Sequence, residues 1–224
     1  MQKRRSWREI ARERKFKLLF LCLLVYLVLS PYVQDNGSEY LAFRIFACVV
    51  VLLSVYVVSF RRVFAFLALA LAVPTLIQRL MSPSGSAGAL VLLFTSFSFI
   101  FDLFIIVVIF RLVFTTDQPN SETIFGALCI YLLVGFSFAN GYFLLTALQP
   151  HAFLFDRTLH FPEVPGRFGF IYYSFGTQTS LGAPGMAPAS DQARSLSIIQ
   201  AILGILYLAV LISRLISMYK RPIK

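Results

Sequence analysis

The residues best suited to chemistry in this chain lie between Phe170 and Pro188. Phe170-Ile171-Tyr172-Tyr173-Ser174-Phe175 is a short apolar, aromatic stretch. It gives way to Gly176-Thr177-Gln178-Thr179-Ser180-Leu181-Gly182-Ala183-Pro184-Gly185, built of small and hydroxyl-bearing residues. What such a segment offers is a dense row of backbone carbonyls and hydroxyls rather than an acid, a base or an activated nucleophile. The apolar part is too short to cross a bilayer, which takes about 20 helical residues. Non-helical backbone is tolerated at membrane depth only where protein buries it or where it lines a water-filled cavity. Placed between two long apolar runs, the segment reads as a re-entrant pore loop: a half-length helix followed by an irregular stretch.

Other candidates are weaker. Asp102 is the one carboxylate deep inside an apolar run; an intramembrane acid is a functional candidate by default, and a hydrogen bond or ion pair within a helix bundle is the alternative role. His151, Asp156 and His160 fall in a proline-bearing polar loop with no standard metal-ligand spacing, so solvated loop residues are expected. Cys22, Cys48 and Cys129 each lie in an apolar run without Cys-x-x-Cys spacing and read as small core or lipid-facing residues. No nucleophile elbow, phosphate-binding glycine loop or paired-carboxylate motif occurs, so neither an enzyme nor a soluble cofactor is expected.

The elements that must carry the loop are apolar helices. Hydrophobic residues make up 58% of the 224 residues and charged residues 13%, about half the charge that covers a soluble domain. Disorder, a disulfide scaffold and a nucleic-acid reader are thereby disfavoured. The expected class is an all-α membrane protein of six spans. The spans are expected near Leu18–Gln34, Leu41–Phe60 (with Arg44 snorkelling outward at its edge), Val63–Gln78 (broken by Pro74), Gly88–Phe114, Ile124–Leu148 and Leu196–Ile212. Ser121 and Glu122 read as helix-start residues. The chain divides into a basic N-terminus (1–17), a four-helix bundle (18–116), a pore domain (121–219, with its loop at 168–188) and a basic tail (220–224). Eight of the twenty Lys and Arg occur in the first seventeen residues. With six spans, fifteen basic residues fall on the side of the termini and five (Arg44, Arg79, Arg157, Arg167 and Arg194) on the other, an asymmetry that places both termini in the cytoplasm of a plasma or inner membrane. The segment around Trp7, Ile10 and Ala11 reads either as an amphipathic helix on the inner leaflet or as a topology-setting tail. The fourth run carries only Arg111, near its end, so no arginine ladder for voltage sensing is present.

On these residues the chain resembles the tetrameric potassium-channel pore-domain family, whose module is two spans around a pore loop. That family's filter reads roughly Thr-x-Thr-Thr-(Val/Leu)-Gly-Tyr-Gly-Asp with a proline shortly after. Here the register is Thr177-Gln178-Thr179-Ser180-Leu181-Gly182-Ala183-Pro184-Gly185, then Pro188. Tyr172-Tyr173-Ser174 resembles the pore helix, and Ile198 to Gly204 resembles the inner helix, with Gly204 where such channels often have a hinge glycine. The resemblance implies a homotetramer in the lipid bilayer, a filter at Thr179, Ser180, Leu181, Gly182, Ala183, Pro184 and Gly185, and permeating potassium or sodium ions there.

The centre of the motif departs from the family. Its filter carbonyls replace an ion's water shell, and two glycines take positive φ to aim them. Gly182 keeps the first such position, whereas Pro184 fixes φ near −65° at the second and donates no N–H. Ala183 stands where a bracing tyrosine is expected, and Gly185 where an aspartate is. The inner half, with the Ser180 hydroxyl and the carbonyls of Ser180, Leu181 and Gly182, remains competent. The implied function is a monovalent-cation channel with weakened or altered selectivity; the alternative is a non-conducting pore-fold protein acting as a structural or partner-binding assembly.

Overall fold

A computed structural model describes residues 14–32, 38–60, 62–80, 88–115, 121–156 and 166–219. The expectations placed on Trp7, Ile10, Ala11, Arg157, His160 and the tail after Tyr219 lie outside these residues. Among them are seven α-helices: α1 (Lys15–Leu29, followed by a 3-10 turn Ser30–Tyr32), α2 (Ser38–Val58), α3 (Arg62–Leu80), α4 (Ala89–Phe114), α5 (Ser121–Leu148), α6 (Arg167–Gln178) and α7 (Asp191–Tyr219). All except α6 are long and apolar enough to cross a membrane. Two three-residue strands, β1 (Phe153–Phe155) and β2 (Met186–Pro188), pair antiparallel with Leu154 opposite Ala187. Neither strand was evident in the sequence, because three residues carry no alternation long enough to read.

The third helix runs unbroken through Pro74, contrary to the expected break. Proline removes one backbone donor and crowds the preceding turn, yet in a nonpolar surround the remaining bonds are worth keeping, because no water replaces them. The Thr75 hydroxyl adds a bond to the Leu71 carbonyl at 3.0 Å. Arg44 does not reach outward. Its Nε donates to the carbonyl of Arg79 at 2.6 Å, satisfying one of the carbonyls that the last turn of α3 leaves without an intrahelical partner.

Helix α5 is the hub of the molecule. Twelve residues from Thr123 to Tyr142 recur every three or four positions on buried faces, among them Ile130, Leu133, Phe136 and Ala139. It packs against α1, α4, α6 and α7. At one end the Glu122 carboxylate accepts from the Phe16 backbone N–H at 3.0 Å, supplying an orphan donor at the start of α1 with an anion where the helix dipole favours one. Toward the other end Tyr26 of α1 stacks on Phe43 of α2, centroids 5.1 Å apart, and meets Phe136 of α5 edge-on at 5.3 Å. One hydrophobic core thus runs through all the long helices. By contrast α7 leaves Ile198, Ile202, Ile205, Val210 and Ile212 exposed in the single chain.

Candidate functional site

Helix α6 lies between α5 and α7, and it extends three residues past the expected apolar stretch, taking in Gly176, Thr177 and Gln178. The reason is a set of polar side chains that replace solvent on its buried face. Ser174 and Gln178, one turn apart, donate to the carbonyls of Gly135 and Tyr131, one turn apart on α5, at 2.7 and 2.8 Å. From the opposite side Gln200 of α7 donates to Ser174 Oγ at 2.7 Å and to Gln178 Oε1 at 3.3 Å, and accepts from the Tyr142 hydroxyl at 2.7 Å. Tyr173 and Ser197 share a further hydrogen bond at 2.7 Å. Ser174, Gln178 and Gln200 are buried to within 1% of full burial. Each bond of this kind contributes about 1 kcal/mol net, and leaving one unmade costs more, so the network fixes α6 in one position.

Two glycines allow the close fit. A side chain at Gly204 would collide with the backbone carbonyl and Cγ of Gln178, so α7 can approach the end of α6 only without a Cβ there. A Cβ on Gly176 would lie 2.5 Å from the carbonyl oxygen of Gly182. Helix α7 is continuous through Gly204.

After Gln178 the chain turns back along α6. Thr179 caps the helix, its N–H and hydroxyl both donating to Phe175 O at 3.0 and 2.7 Å. Ser180 N–H donates to Thr177 O at 3.2 Å, and Gly182 N–H to Gly176 O at 3.1 Å. Positive φ occurs at Ser180 (57°), Gly182 (84°) and Gly185 (96°). Gly182 thus adopts the conformation its place in the motif calls for. The second glycine of positive φ comes one residue later than in the family pattern, at Gly185. Pro184 and Gly185 occupy the middle of a turn closed by Met186 N–H to Ala183 O at 3.3 Å. Proline followed by a positive-φ glycine is the signature of a type II turn. The left-handed Ser180 has no counterpart in the sequence reading; a serine there bears a steric cost that glycine would not.

The destination of each carbonyl follows. Ala183 O is taken by the turn, and Gly185 O accepts from Asp156 N–H at 2.9 Å, extending the ladder between β2 and β1. Gly182 O lies against Gly176, facing α6, which departs from the expectation that it belongs with Ser180 and Leu181. Among the described residues, no donor reaches the carbonyls of Ser180 or Leu181. Leu181 is 80% exposed in the single chain and Ser180 is also exposed. No charged side chain occurs from Phe168 to Ser190; the local field comes from backbone dipoles, with the carbonyl end of α6 directed at the loop.

The remaining candidates separate from this site. His151 lies exposed in the turn after α5, Asp156 contributes its backbone N–H, and His160 is outside the described residues. The three cysteines are free, with Cys129 buried against the Phe16 carbonyl at 3.4 Å. Asp102 accepts from Asn140 of α5 at 2.8 Å, a hydrogen bond that reaches beyond the first four helices. Sequence reasoning passed over Gln200 and Gln178. A lone amide inside an otherwise apolar span is the available signal, since such a group needs an interhelical partner.

Residues 141–221 match the family described as Ion channel. No curated protein and no solved structure matches the chain. The matched segment begins in the last third of α5 and takes in β1, α6, the loop, β2 and α7. Together with six helices of membrane-spanning length and composition among the described residues, this is an integral membrane protein whose residues 141–221, about a third of the chain, are similar to the ion-channel family.

Proposed function

We propose that this protein conducts monovalent cations as a homotetramer, with α6 and its loop forming a re-entrant segment and four copies of the loop meeting on a common axis. One loop supplies only a quarter of an ion-binding ring, which closed fourfold symmetry completes. The observation that carries the reading is the pair of unpartnered carbonyls at Ser180 and Leu181, next to the carbonyl end of a short helix and free of charged side chains. Oxygen dipoles without a neighbouring cation favour a cation, and the Ser180 hydroxyl adds a further ligand. The exposed apolar face of α7 supplies the surface for lining the pore and packing against neighbouring subunits. The fifteen-to-five distribution of Lys and Arg orients both termini to the cytoplasm. Selectivity is weak, because the Ala183–Met186 turn and the β1–β2 ladder commit the outer carbonyls to hydrogen bonds within the chain.

That same commitment favours a second reading, a non-conducting assembly on the pore fold. Recordings of the purified protein in planar bilayers under opposed sodium and potassium gradients decide between them. The expected result is a cation current whose reversal potential shows little preference for potassium. The combined change Ala183→Tyr, Pro184→Gly and Gly185→Asp, which undoes the turn, is expected to raise potassium preference severalfold. A current only after the triple change supports the non-conducting reading. Strong potassium preference in the natural protein, or a triple variant indistinguishable from it, overturns the account of the loop.

A further inference from the structure

Two opposite charges face one another among the helices that precede the matched segment. Arg79, in the last turn of α3, folds inward: Nη1 donates to the Tyr26 hydroxyl at 2.6 Å, and the guanidinium lies 5.4 Å from the centre of that ring. Its Nε is buried and has no hydrogen-bond partner among the described residues. Asp102 of α4 accepts from Asn140 of α5 at 2.8 Å, and among the described residues no direct ion pair joins it to Arg79. Both instead line one cavity of about 40 Å³, with Tyr26 and Ser54 also in its wall. A second cavity, of about 30 Å³, is lined by Arg79, Asn140 and Arg167 among others. A cavity holds a water when roughly 10–15 Å³ is open to it and two to four polar groups face it. The first cavity is large enough and has polar side chains in its wall, so it has room for a water beside Arg79.

We infer that Arg79 and Asp102 form a water-bridged ion pair, a built-in hydration site through which the preceding helices position α6. The contacts run outward from both charges to α5. Tyr26, held by Arg79, meets Phe136 edge-on at 5.3 Å, and Phe136 meets Phe175 of α6 in the same manner at 5.3 Å. Asn140, held by Asp102, is one turn along α5 from Phe136, on the same face. Gly135 makes room for the Phe175 ring, since a Cβ there would lie 2.5 Å from it. The Phe175 carbonyl in turn accepts both bonds that cap α6 at Thr179. Arg79 and Asp102 are positioning residues: charge on one is balanced only while the other and the water between them persist. Removing either charge leaves its counterpart buried and unpaired, and the strain is relieved along α5 into the end of α6. The inference concerns how α6 is held and stands whether or not the loop conducts.

Hydrogen exchange of the full-length protein in lipid nanodiscs tests it, read on peptides covering residues 170–182. Arg79→Gln and Asp102→Asn are each expected to speed exchange there by about tenfold, and the double variant to return it close to that of the natural protein. Ala47→Leu, which fills the first cavity, is expected to abolish this mutual rescue. Arg79→Lys and Asp102→Glu, which keep the charges, serve if the neutral variants fail to assemble, and are expected to stay within about twofold of the natural protein. Additive effects in the double variant, or rescue that survives Ala47→Leu, would overturn the inference. So would changes confined to α3 and α4 with 170–182 unaltered, or losses in the charge-keeping variants as large as in the neutral ones.

Discussion

At the level of single residues, absent side chains govern the site as much as those present. Gly204 and Gly176 are sites of backbone-to-backbone approach, where a methyl group has nowhere to go but into a carbonyl. Gly141, also helical, has only ordinary contact, with the Phe99 ring at 3.5 Å. Gly204→Ala and Gly176→Ala are therefore expected to destabilise by about 1–3 kcal/mol through overpacking. Gly141→Ala is expected to be neutral or to stabilise by up to about 1 kcal/mol, because alanine is the better helix former. Thermal unfolding of the detergent-solubilised protein distinguishes them by the sign of the shift. The sequence pointed to Gly204 through its place in a motif, but the reason found in the structure is steric and depends on a neighbour 26 positions away, which no local pattern encodes. Positive φ at Gly182 was legible from the same motif. Gly185 was not, since its conformation follows from Pro184 and from the ladder that receives its carbonyl.

Among elements, α6 shows why helix boundaries in an apolar chain are hard to read. Gly176, Thr177 and Gln178 look like loop by composition, and yet they are helical because Gln178 finds partners on both α5 and α7. Gln200 is the centre of that arrangement. Gln200→Leu takes away the acceptor of the Tyr142 hydroxyl and the donor to Gln178 Oε1 in a buried site, at an expected cost of about 3 kcal/mol. Tyr142→Phe removes one of those groups in advance. The double change is accordingly expected to cost less than the sum of the two single ones, by about 1 kcal/mol in a thermodynamic cycle. An additive result would mean that the two groups do not share a network. The six long helices were readable from hydropathy because each is an apolar run within the length range of a membrane-spanning helix, which is large beside the error at their ends. The strands and the polar clamp depend on pairings distant in sequence and were not.

For the whole molecule, the distribution of charge sets the response to a membrane field. Helix α4 carries one basic residue, Arg111, near one end and one acid, Asp102, near its middle. Displacing it as a body moves opposite charges together. A single elementary charge crossing 100 mV is worth about 2.3 kcal/mol, and here the two contributions oppose one another. Any current is expected to scale with driving force alone, giving a conductance–voltage relation with an apparent valence below about one charge in whole-membrane recordings. A steep activation curve would show that charge outside α4 is moved.

The short β1–β2 ladder bears on how the chain tolerates change. Asp156 is bonded to Gly185, and the carbonyl of Ala152 accepts from both Ala189 and Ser190 at 2.8 and 3.2 Å. The strand leaving α5 is thereby tied to the strand entering α7, which closes the chain between them into a loop. The entropy of closing such a stretch grows only logarithmically with its length, about 0.6 kcal/mol for each doubling. A single residue added between Gly176 and Gly185 is therefore expected to cost stability not through chain entropy but by displacing the bonds that hold the loop against α6 and close the Ala183–Met186 turn.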